Sequence, residues 1–287
     1  MSACVVCGGA MRGLYPQIRG TSFGVERCAK CGLQMLSPQP TWEQIKAIYD
    51  ASYYKAWGMA EGETQEVAAM KKSTFARRVR EMKSFVAGGK VLDVGTASGF
   101  FLEVAAQSGY EPWGVELSEY SAKLAQQKFG VERIWNGTLE TAPFARGSFA
   151  AVVMCDLLEH VSDPVATLRQ AAEFLQPGGI VLVMTPHTGS LTNRLMGAKW
   201  THYKTEHLCY FNRRSITEAA QRAGLEVADF RAASKTLTLR YVHTQMRTYP
   251  HWLLTPLVGA ANAVGFFARD WALPVVIGEF VAILRKK

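Results

Sequence analysis

The 287-residue sequence has no uncharged apolar run long enough to cross a membrane. Its most apolar stretch, Trp252 to Ala268, contains Pro256 and is ended by Arg269 and Asp270. A membrane-spanning helix needs about 20 apolar residues. We therefore expect this stretch to pack against the protein or to touch a membrane surface.

The sequence also lacks internal repeats, low-complexity tracts and a basic-then-apolar leader. The first two absences exclude collagen-like, coiled-coil and solenoid architectures. The third favours a cytoplasmic location, with peripheral contact at the inner membrane surface as a further option. Because 48% of the residues are hydrophobic and 20% charged, disorder is excluded and one sizeable core is expected.

The excess of basic residues is modest, with 32 Lys and Arg against 24 Asp and Glu and a formal charge of +8. Such an excess is compatible with anionic substrates, lipid head groups or nucleic acid, and it selects none of them. Cysteines are few, six in all. In a chain without a leader they indicate a reducing compartment, where paired cysteines hold metal more often than they form disulfides.

Four of these cysteines form two equally spaced pairs within residues 1–40. They are Cys4, Cys7, Cys28 and Cys31. So short a segment cannot bury enough surface to fold alone, and four thiolates suit a tetrahedral, structural zinc ion. An iron–sulfur cluster or two disulfides are the alternatives. The other two, Cys155 and Cys209, have apolar neighbours and are expected to be buried.

Residues 41–89 are predicted to form a mainly helical linker or lid. Thr41 and Gln44 have the spacing of a capping box at a helix start. The apolar residues that share one helical face farther along are Phe75, Val79, Met82 and Val86.

From residue 90 to residue 287, short apolar runs alternate with helical patterns. Strands are predicted at 91–94, 113–117, 131–135, 149–155, 180–184, 225–230 and 279–284. This alternation predicts an α/β, Rossmann-like fold with a seven-stranded, mostly parallel sheet and helices on both faces. A helical insertion is expected at about 235–275. Its apolar part, 249–276, suits core packing, a homodimer face, or an acceptor or membrane contact.

The most informative segment runs from Val91 to Phe100, where a strand enters a glycine-bearing turn that opens a helix. Gly95 permits a ligand to approach the backbone, and Gly99 permits the helix to pack closely on the strand. The first amides of that helix favour a carboxylate or a phosphate. Such a turn alone is equally compatible with an NAD-binding domain or a simple tight corner.

Two carboxylates restrict the ligand further. Glu116 ends the next strand, 23 residues after Asp93, where a carboxylate accepts hydrogen bonds from ribose hydroxyls. Asp93 lies before the turn and would repel a phosphate, so a ligand with an amino group and no phosphate fits better. S-adenosylmethionine (SAM) is such a ligand.

Residues 90–230 and the last strand resemble the class I SAM-dependent methyltransferase family. The resemblance rests on VLDVGTASGF at 91–100, CDLLEHV at 155–161 and LQPGG at 175–179. The sequence departs from the family at Ala97, where glycine is frequent, and at Thr138, where an Asp often contacts adenine. The resemblance implies cofactor contacts from Asp93, Gly95, Thr96, Gly99, Phe100, Glu116, Leu117, Thr138, Leu139 and Cys155.

The N-terminal segment is similar to the zinc ribbon of bacterial methyltransferases that act on sugars, lipids and secondary metabolites. The similarity rests on RCAKCGL at 27–33, SPQP at 37–40 and the pair Tyr53 and Tyr54. It implies that these tyrosines and Trp57 lie near the cofactor mouth as lid residues. They are equally suited to anchoring the ribbon by hydrophobic packing.

Histidines are the first candidates for a catalytic base, because a hydroxyl acceptor gains from a group that titrates near neutral pH. His207 is the preferred base and His160 the second. The group of Asp156, Glu159 and His160 is also similar to a cluster in quinone-ring O-methyltransferases that can hold a divalent ion. Capping of a helix start is the other interpretation.

Together these features predict a SAM-dependent methyltransferase that acts on a small-molecule, sugar, quinone, or lipid- or carrier-linked acceptor, at oxygen. One alternative is an rRNA or tRNA methyltransferase that uses the ribbon and the basic 71–90 stretch to bind phosphates. Nucleic acid is less favoured, because the ribbon is short and aromatic and basic residues do not alternate. The other alternative is a non-catalytic binding module that keeps the cofactor fold.

Overall fold

A computed structural model describes residues 3–18, 20–41, 43–44, 65–248, 254–265 and 270–286. The lid or anchor residues predicted above, Tyr53, Tyr54 and Trp57, lie outside these ranges. Within the described ranges, every helix is too short or too polar to span a lipid bilayer.

The N-terminal residues form a small antiparallel sheet. Its strands are, in order, β1 (Met11–Tyr15), β2 (Gly24–Cys28), β3 (Gln34–Ser37) and β9 (Cys209–Tyr210). The fourth strand comes from far along the chain, with Cys209 opposite Met35. Leu33 also belongs to the same hydrophobic core as Leu208 and Phe211. This shared core compensates for the small apolar surface of a 40-residue segment.

The remaining strands form the predicted seven-stranded sheet. They are β4 (Gly89–Val94), β5 (Tyr110–Glu116), β6 (Ile134–Asn136), β7 (Phe149–Cys155), β8 (Leu175–Pro186), β10 (Leu225–Thr238) and β11 (Ala272–Lys286). Their order is β10-β11-β8-β7-β4-β5-β6. The pairs from β8 to β6 are parallel, and β11 is antiparallel to both of its neighbours. The sheet is therefore mostly parallel, as predicted.

Helices cover both faces of this sheet. They are α1 (Gln65–Lys83), α2 (Phe100–Gln107), α3 (Glu119–Phe129), α4 (Pro164–Phe174), α5 (Leu191–Met196), α6 (Arg213–Arg222), α7 (Leu239–Thr248) and α8 (Leu254–Val264). Neighbouring residues of β7 belong to two different cores. Val152 shares one core with α4 and α6, whereas Val153 shares the other with α1 and α2. This alternation follows from the two-residue period of a strand.

Polar side chains fix the starts of several helices. A side chain just before each helix accepts a hydrogen bond from an amide of its first turn: Ser118 for α3, Asp163 for α4 and Asn212 for α6. The predicted capping box is present as well. The Thr41 amide donates to Gln44 Oε1 at 2.8 Å, and the Gln44 amide donates to Thr41 Oγ1 at 3.3 Å.

The helical insertion before the last strand is shorter than predicted. Strands β10 and β11 continue their antiparallel pairing into it, with Lys235 opposite Val275 and Thr238 opposite Ala272. Threonines and valines at these positions favour an extended strand over a helix. Among the described residues of this insertion, the helices are α7 and α8. Trp271 is exposed.

Other strand boundaries also differ from the prediction. Strand β8 is longer than the predicted 180–184 and includes 177–179, and its register with β7 shifts between Phe149 and Ala151. Gly178 there has φ of +74°, which favours glycine. Strand β6 covers Ile134–Asn136 rather than 131–135.

Candidate active site

The carboxyl ends of β4, β5 and β7 meet at one edge of the sheet. Strand β4 pairs with β5 on one side and with β7 on the other, so the strand order reverses here. A crevice outside the strand ends at such a reversal is the usual ligand site in open α/β sheets. The residues predicted to bind the cofactor follow these strand ends.

The turn after β4 has a left-handed backbone at three positions. Gly95 and Gly99 have φ of +77° and +86°, a region that glycine enters without steric cost. Ala97, between them, has φ of +50°, which costs a non-glycine residue roughly 1–2 kcal/mol. Alanine at position 97, where the family often has glycine, therefore strains the backbone beside the crevice.

Two glycines allow close packing around this turn. A Cβ atom on Gly99 would lie 2.8 Å from Phe129 Cε2, so Gly99 lets α2 approach α3 closely. The sequence pattern predicts a close approach to the strand instead. A Cβ atom on Gly114 would lie 2.8 Å from Thr96 Cγ2. Gly114 is absent from the predicted site, although a glycine inside a strand often marks a close approach.

Glu116 is held in one orientation at the end of β5. Its Oε2 accepts a hydrogen bond from the Ala97 amide at 2.8 Å, and its Oε1 accepts one from the Ser118 amide at 2.8 Å. The residue is 8% exposed, and burial raises its pKa above the ordinary value. Each carboxylate oxygen retains acceptor capacity. The group can therefore accept two further hydrogen bonds from adjacent hydroxyls.

The polar side chains of the turn are strongly buried. Asp93 is 4% exposed, and burial raises its pKa to about 7. Ser98 Oγ is buried without a hydrogen-bond partner among the described residues, whereas buried hydroxyls are normally hydrogen-bonded. The Thr96 hydroxyl interacts with the Asp93 carboxyl group and partly offsets the effect of burial on its pKa. A cation near Asp93 would restore its charged form. The turn thus fits a ligand that brings hydrogen-bonding groups and a positive charge.

The predicted adenine-side residues differ in exposure. Leu117 is 61% exposed, although it follows a buried carboxylate, and Leu139 is 6% exposed. Thr138 is exposed, and its hydroxyl lies 3.1 Å from Thr141 Oγ1. Thr138 is thus engaged in its own turn, and Leu117 leaves apolar surface exposed just after the end of β5.

Phe100 is the first residue of α2, and Cys155 is the last residue of β7. The Lys71 and Lys128 ammonium groups are 5.1 and 5.0 Å from the centroid of the Phe100 ring, so this ring lies among positive charges. Cys155 is half-buried, and burial raises its pKa well above the ordinary value. It is therefore a neutral thiol rather than a nucleophile.

The two predicted bases, His160 and His207, lie side by side. Their ring centroids are 4.6 Å apart and the rings are perpendicular. Each Nδ1 lies 2.9 Å from a backbone carbonyl, that of Glu206 for His160 and that of His202 for His207. Each Nδ1 therefore carries the proton, which makes Nε2 the acceptor nitrogen. Burial lowers both pKa values, that of His160 to about 4, so both rings are neutral near pH 7.

Glu159 joins the two histidines in one cluster. One ligand atom from each of Glu159, His160 and His207 lies within 4.8 Å of the others. Glu159 accepts a hydrogen bond from Thr185 Oγ1 at 2.7 Å, and burial raises its pKa to about 8. This donor set suits a divalent ion. The sequence pattern offers Asp156 as the third member of such a cluster, whereas the side chains that lie together in the structure are Glu159, His160 and His207.

Asp156 belongs instead to an ion-pair group. Its carboxylate oxygens lie 2.9 and 3.2 Å from Lys235 Nζ, and the same ammonium lies 2.8 Å from Glu279 Oε1. Asp156 has φ of +54°. Lys235 is not among the predicted site residues, and its position in the strand extension of β10 gives no local signal of this role.

Two further histidines near the strand ends have structural partners. His202 Nε2 donates to the Ile277 carbonyl at 3.2 Å, and burial lowers the pKa of His202 to about 3. The His187 ring packs edge-on against Phe230 and Phe280. His202 also supplies the carbonyl that holds His207, so it supports the cluster without being part of it.

The four predicted metal-binding cysteines converge on one point. Their sulfur atoms lie within 4.8 Å of one another, and all four side chains are buried. The Sγ atoms are 3.6 Å apart between Cys4 and Cys31 and 3.4 Å apart between Cys7 and Cys28. Tetrahedral zinc with bonds of about 2.3 Å places its sulfur ligands about 3.8 Å apart. The amides of Lys30 and Cys31 point at Cys28 Sγ, so the arrangement fits such an ion.

A family model described as a methyltransferase domain matches residues 67–229, more than half of the 287-residue chain. The match begins in α1 and ends in β10. It includes the glycine turn, Glu116 and both clustered histidines, whereas the four cysteines lie outside it.

Curated relatives share this region. The ubiquinone biosynthesis O-methyltransferase of Bordetella avium is 30% identical over 168 residues, which cover 53% of this chain and 68% of that protein. The protein of the same name from Dinoroseobacter shibae is 30% identical over 177 residues, 58% of this chain and 69% of its own.

Solved structures have the same fold at lower identity. Magnesium protoporphyrin IX methyltransferase from Synechocystis, with bound S-adenosylhomocysteine (SAH), has a TM-score of 0.54 and 14% identity, covering 85% of this chain and 98% of that one. A chain of the complex between the Haloferax volcanii Trm112 methyltransferase activator and a methyltransferase has a TM-score of 0.56 and 18% identity, covering 81% and 96%. The family match, the sheet order and the crevice agree: the chain belongs to the class I SAM-dependent methyltransferases.

Proposed function

We propose that the crevice at the ends of β4 and β5 is the SAM site of this methyltransferase. Glu116 would accept hydrogen bonds from both ribose hydroxyls, because two amides already fix its orientation. Asp93 would face the cationic amine, which would offset the unfavourable burial of its carboxylate. The turn from Gly95 to Gly99 would follow the amino-acid part of the ligand, with Thr96 as a further hydrogen-bonding group.

The adenine is proposed to lie between Leu117 and Leu139. The exposed fraction of Leu117 is large for a leucine beside a buried acid, and a flat ring would cover it. Thr138 would contribute its backbone rather than a side-chain bond, since its hydroxyl is engaged with Thr141. Phe100 and Cys155 would complete the walls nearest the strands.

When bound, SAM supplies a methyl group on a positively charged sulfur. The chain itself has to orient the acceptor and exclude water from the crevice. We assign His207 as the base that accepts the hydroxyl proton at Nε2, with His160 as the second candidate. Burial keeps both imidazoles neutral, which is the form that accepts a proton.

The proposed acceptor is a hydroxyl group on a small molecule: a sugar, a quinone, or a lipid- or carrier-linked compound. The relatives named for ubiquinone biosynthesis O-methylation support a small acceptor and oxygen as the nucleophile. The fixed Glu116 carboxylate carries the proposal as a whole, because it is the group that distinguishes a ribose-binding crevice from a plain tight turn. The four cysteines are proposed to hold one structural zinc ion, with no position left for water.

Methyl-labelled SAM tests the function directly. The purified chain is incubated with the labelled compound and, separately, with a soluble catechol, UDP-glucose and total RNA, and products are analysed by mass spectrometry. We expect the label on a small-molecule hydroxyl and its loss in Glu116→Ala. Label in RNA alone would contradict the small-molecule assignment in favour of the RNA alternative. Unchanged transfer in Glu116→Ala would contradict the assignment of the crevice.

A further inference from the structure

A second cavity lies between the four-cysteine ribbon and the methyltransferase domain. It has a volume of about 790 Å³, within the range of small-molecule sites. One wall comes from β1, β2 and the knuckle at residues 28–32. The other comes from the loop after β8 and the first residues of α5 and α6.

Positive charge dominates this cavity. Its charged lining residues are Arg12, Arg27, Lys30, Arg194 and Arg214, and none of the described lining residues is acidic. Arg12 lies directly opposite Arg27 in the β1–β2 pair. Like charges placed opposite each other destabilise an antiparallel pair. Five positive charges therefore line the cavity, against a charge of −2 on a four-thiolate zinc site at its wall, so an anion in the cavity would offset the remaining positive charge.

Among the described residues, the Glu218 carboxylate already has a basic partner outside the cavity lining. Glu218 is close enough to feel the charges of Lys30 and Arg214, but it is paired with Arg222 Nε at 2.7 Å. Glu26 precedes Arg27 on β2 and points to the opposite face, because successive side chains of a strand alternate.

We propose that this cavity binds the phosphate or diphosphate group of the methyl acceptor. Arginine guanidinium groups match phosphate oxygens in a bidentate geometry and remain charged at any physiological pH. Arg12 and Arg27 from the ribbon and Arg194 and Arg214 from the domain would hold the anion from two sides. The shared chemistry fits a nucleoside diphosphate derivative or a phosphorylated lipid head group.

The cavity and the histidine cluster are built on the same segment of chain. Thr185 bonds Glu159 of the cluster, and Thr188, three residues on, lines the cavity. Three extended residues span at most about 11 Å. Arg194 also contributes, after burial, to the lowered pKa of His187 between them. The cavity and the cluster are therefore close along the chain, and we extend the proposal to an acceptor whose phosphate lies in the cavity and whose hydroxyl points toward the cluster.

The ribbon wall lies outside the region shared with the methyltransferase family, which begins at residue 67. The ribbon is therefore proposed as a specificity device that adds an anion site to a common catalytic domain. This inference rests on the proposed function, since it concerns the acceptor of the same transfer.

Calorimetric titration of the full chain tests the anion site. The probes are inorganic pyrophosphate and UDP; vesicles with and without phosphatidic acid are compared by co-sedimentation. We expect binding of pyrophosphate that weakens at least tenfold in the double variant Arg12→Gln, Arg27→Gln and also weakens in Arg194→Gln. Arg80→Gln, an exposed arginine of α1, is the matched control and should bind as the parent does. The Arg194 variant keeps the test valid if the ribbon variant folds poorly.

The different probes distinguish a soluble nucleotide derivative from a lipid-linked phosphate as the ligand of the cavity. Tighter binding of UDP than of pyrophosphate supports a soluble nucleotide derivative, and arginine-dependent sedimentation with phosphatidic acid supports a lipid-linked one. Affinity for neither, or equal affinity in the parent and both cavity variants, would overturn the proposal, as would binding of single-stranded RNA alone. SAH titration of the same proteins is scored separately. If the parent binds pyrophosphate but not SAH, the result counts against the proposed function and not against the anion site in the cavity.

Discussion

Two clusters of metal-ligand type lie in this chain, and they arise in different ways. The four-cysteine cluster comes from two short pairs, each within a single tight turn. The cluster of Glu159, His160 and His207 joins two adjacent residues to one that lies 47 positions farther along the chain. In both clusters the potential ligand atoms lie within 4.8 Å of one another. Their predictability from sequence is nevertheless unequal.

The difference shows what spacing can and cannot fix. Within a Cys-x-x-Cys turn, local backbone geometry sets the distance between the two sulfurs, so the pattern itself predicts the ligands. In the histidine cluster, the third member depends on how the loop after β8 returns to the sheet. Asp156 is nearer in sequence to Glu159 than His207 is, yet its carboxylate pairs with Lys235 and is not part of the cluster.

Loss of one cysteine ligand should have the largest effect. Cys28→Ser is expected to abolish stoichiometric zinc and to expose residues 1–40 to protease, because structural zinc contributes about 10–16 kcal/mol in small domains. Metal analysis and limited proteolysis measure this. Cys209→Ala, at a buried cysteine outside the cluster, should keep the zinc. A parent protein without any bound metal would rule out the zinc site.

Replacement of the proposed base should lower turnover and spare the cofactor. For His207→Gln we expect kcat to fall by about 10²- to 10⁴-fold, the usual contribution of a positioned base, with SAH affinity unchanged. Steady-state kinetics and calorimetry provide the two readouts. His243→Gln, in α7, is the control. Wild-type kcat in the His207 variant would leave His160 as the remaining candidate.

The supporting histidine predicts a pH effect of defined sign. The pKa of His202 is lowered from an ordinary value of about 6.5 to about 3 in the folded chain. Its stabilising contribution is therefore complete above about pH 6.5 and is lost as the pH falls toward 3. Lowering the pH from 7.5 to 4.5 should therefore reduce the unfolding free energy of the parent by up to roughly 2–3 kcal/mol more than that of His202→Gln. Urea denaturation checks this, and parallel pH profiles would contradict it.

The strained turn predicts the smallest effect. Ala97→Gly should raise the unfolding free energy by at most about 1 kcal/mol, because relief of the left-handed alanine exceeds the entropy cost of glycine. Ala106→Gly, at an exposed helical position in α2, should lower it by about 0.5–1 kcal/mol. Thermal or urea unfolding distinguishes the signs. A marked loss of stability in Ala97→Gly would refute the strain at this turn.

Much of the catalytic domain could be predicted because its signals are local. Strand β7 has the predicted bounds, 149–155, since a strand buried on both faces is a continuous apolar run. The turn with Gly95 and Glu116 follows from a strand–turn–helix sequence and a carboxylate at the next strand end. The family match confirms the fold and the enzyme class, whereas the individual binding residues remain predictions.

The features that the sequence does not predict depend on distant contacts. The ribbon gains a fourth strand through Cys209, and Gly99 faces Phe129 of a neighbouring helix. Lys235 pairs with Asp156 across the sheet edge. Each of these depends on strand register or helix packing, which the local sequence pattern does not encode.

Titration of SAH into the parent chain and two glutamate variants tests the central claim most directly. The parent should bind one SAH per chain. Glu116→Ala should bind at least about 100-fold more weakly, because two hydrogen bonds to a charged group contribute about 1.5–3 kcal/mol each. Glu119→Ala, three residues after Glu116, removes an exposed carboxylate that pairs with Lys123, and it should bind SAH as the parent does. No binding by the parent, or equal affinity in Glu116→Ala, would contradict the account.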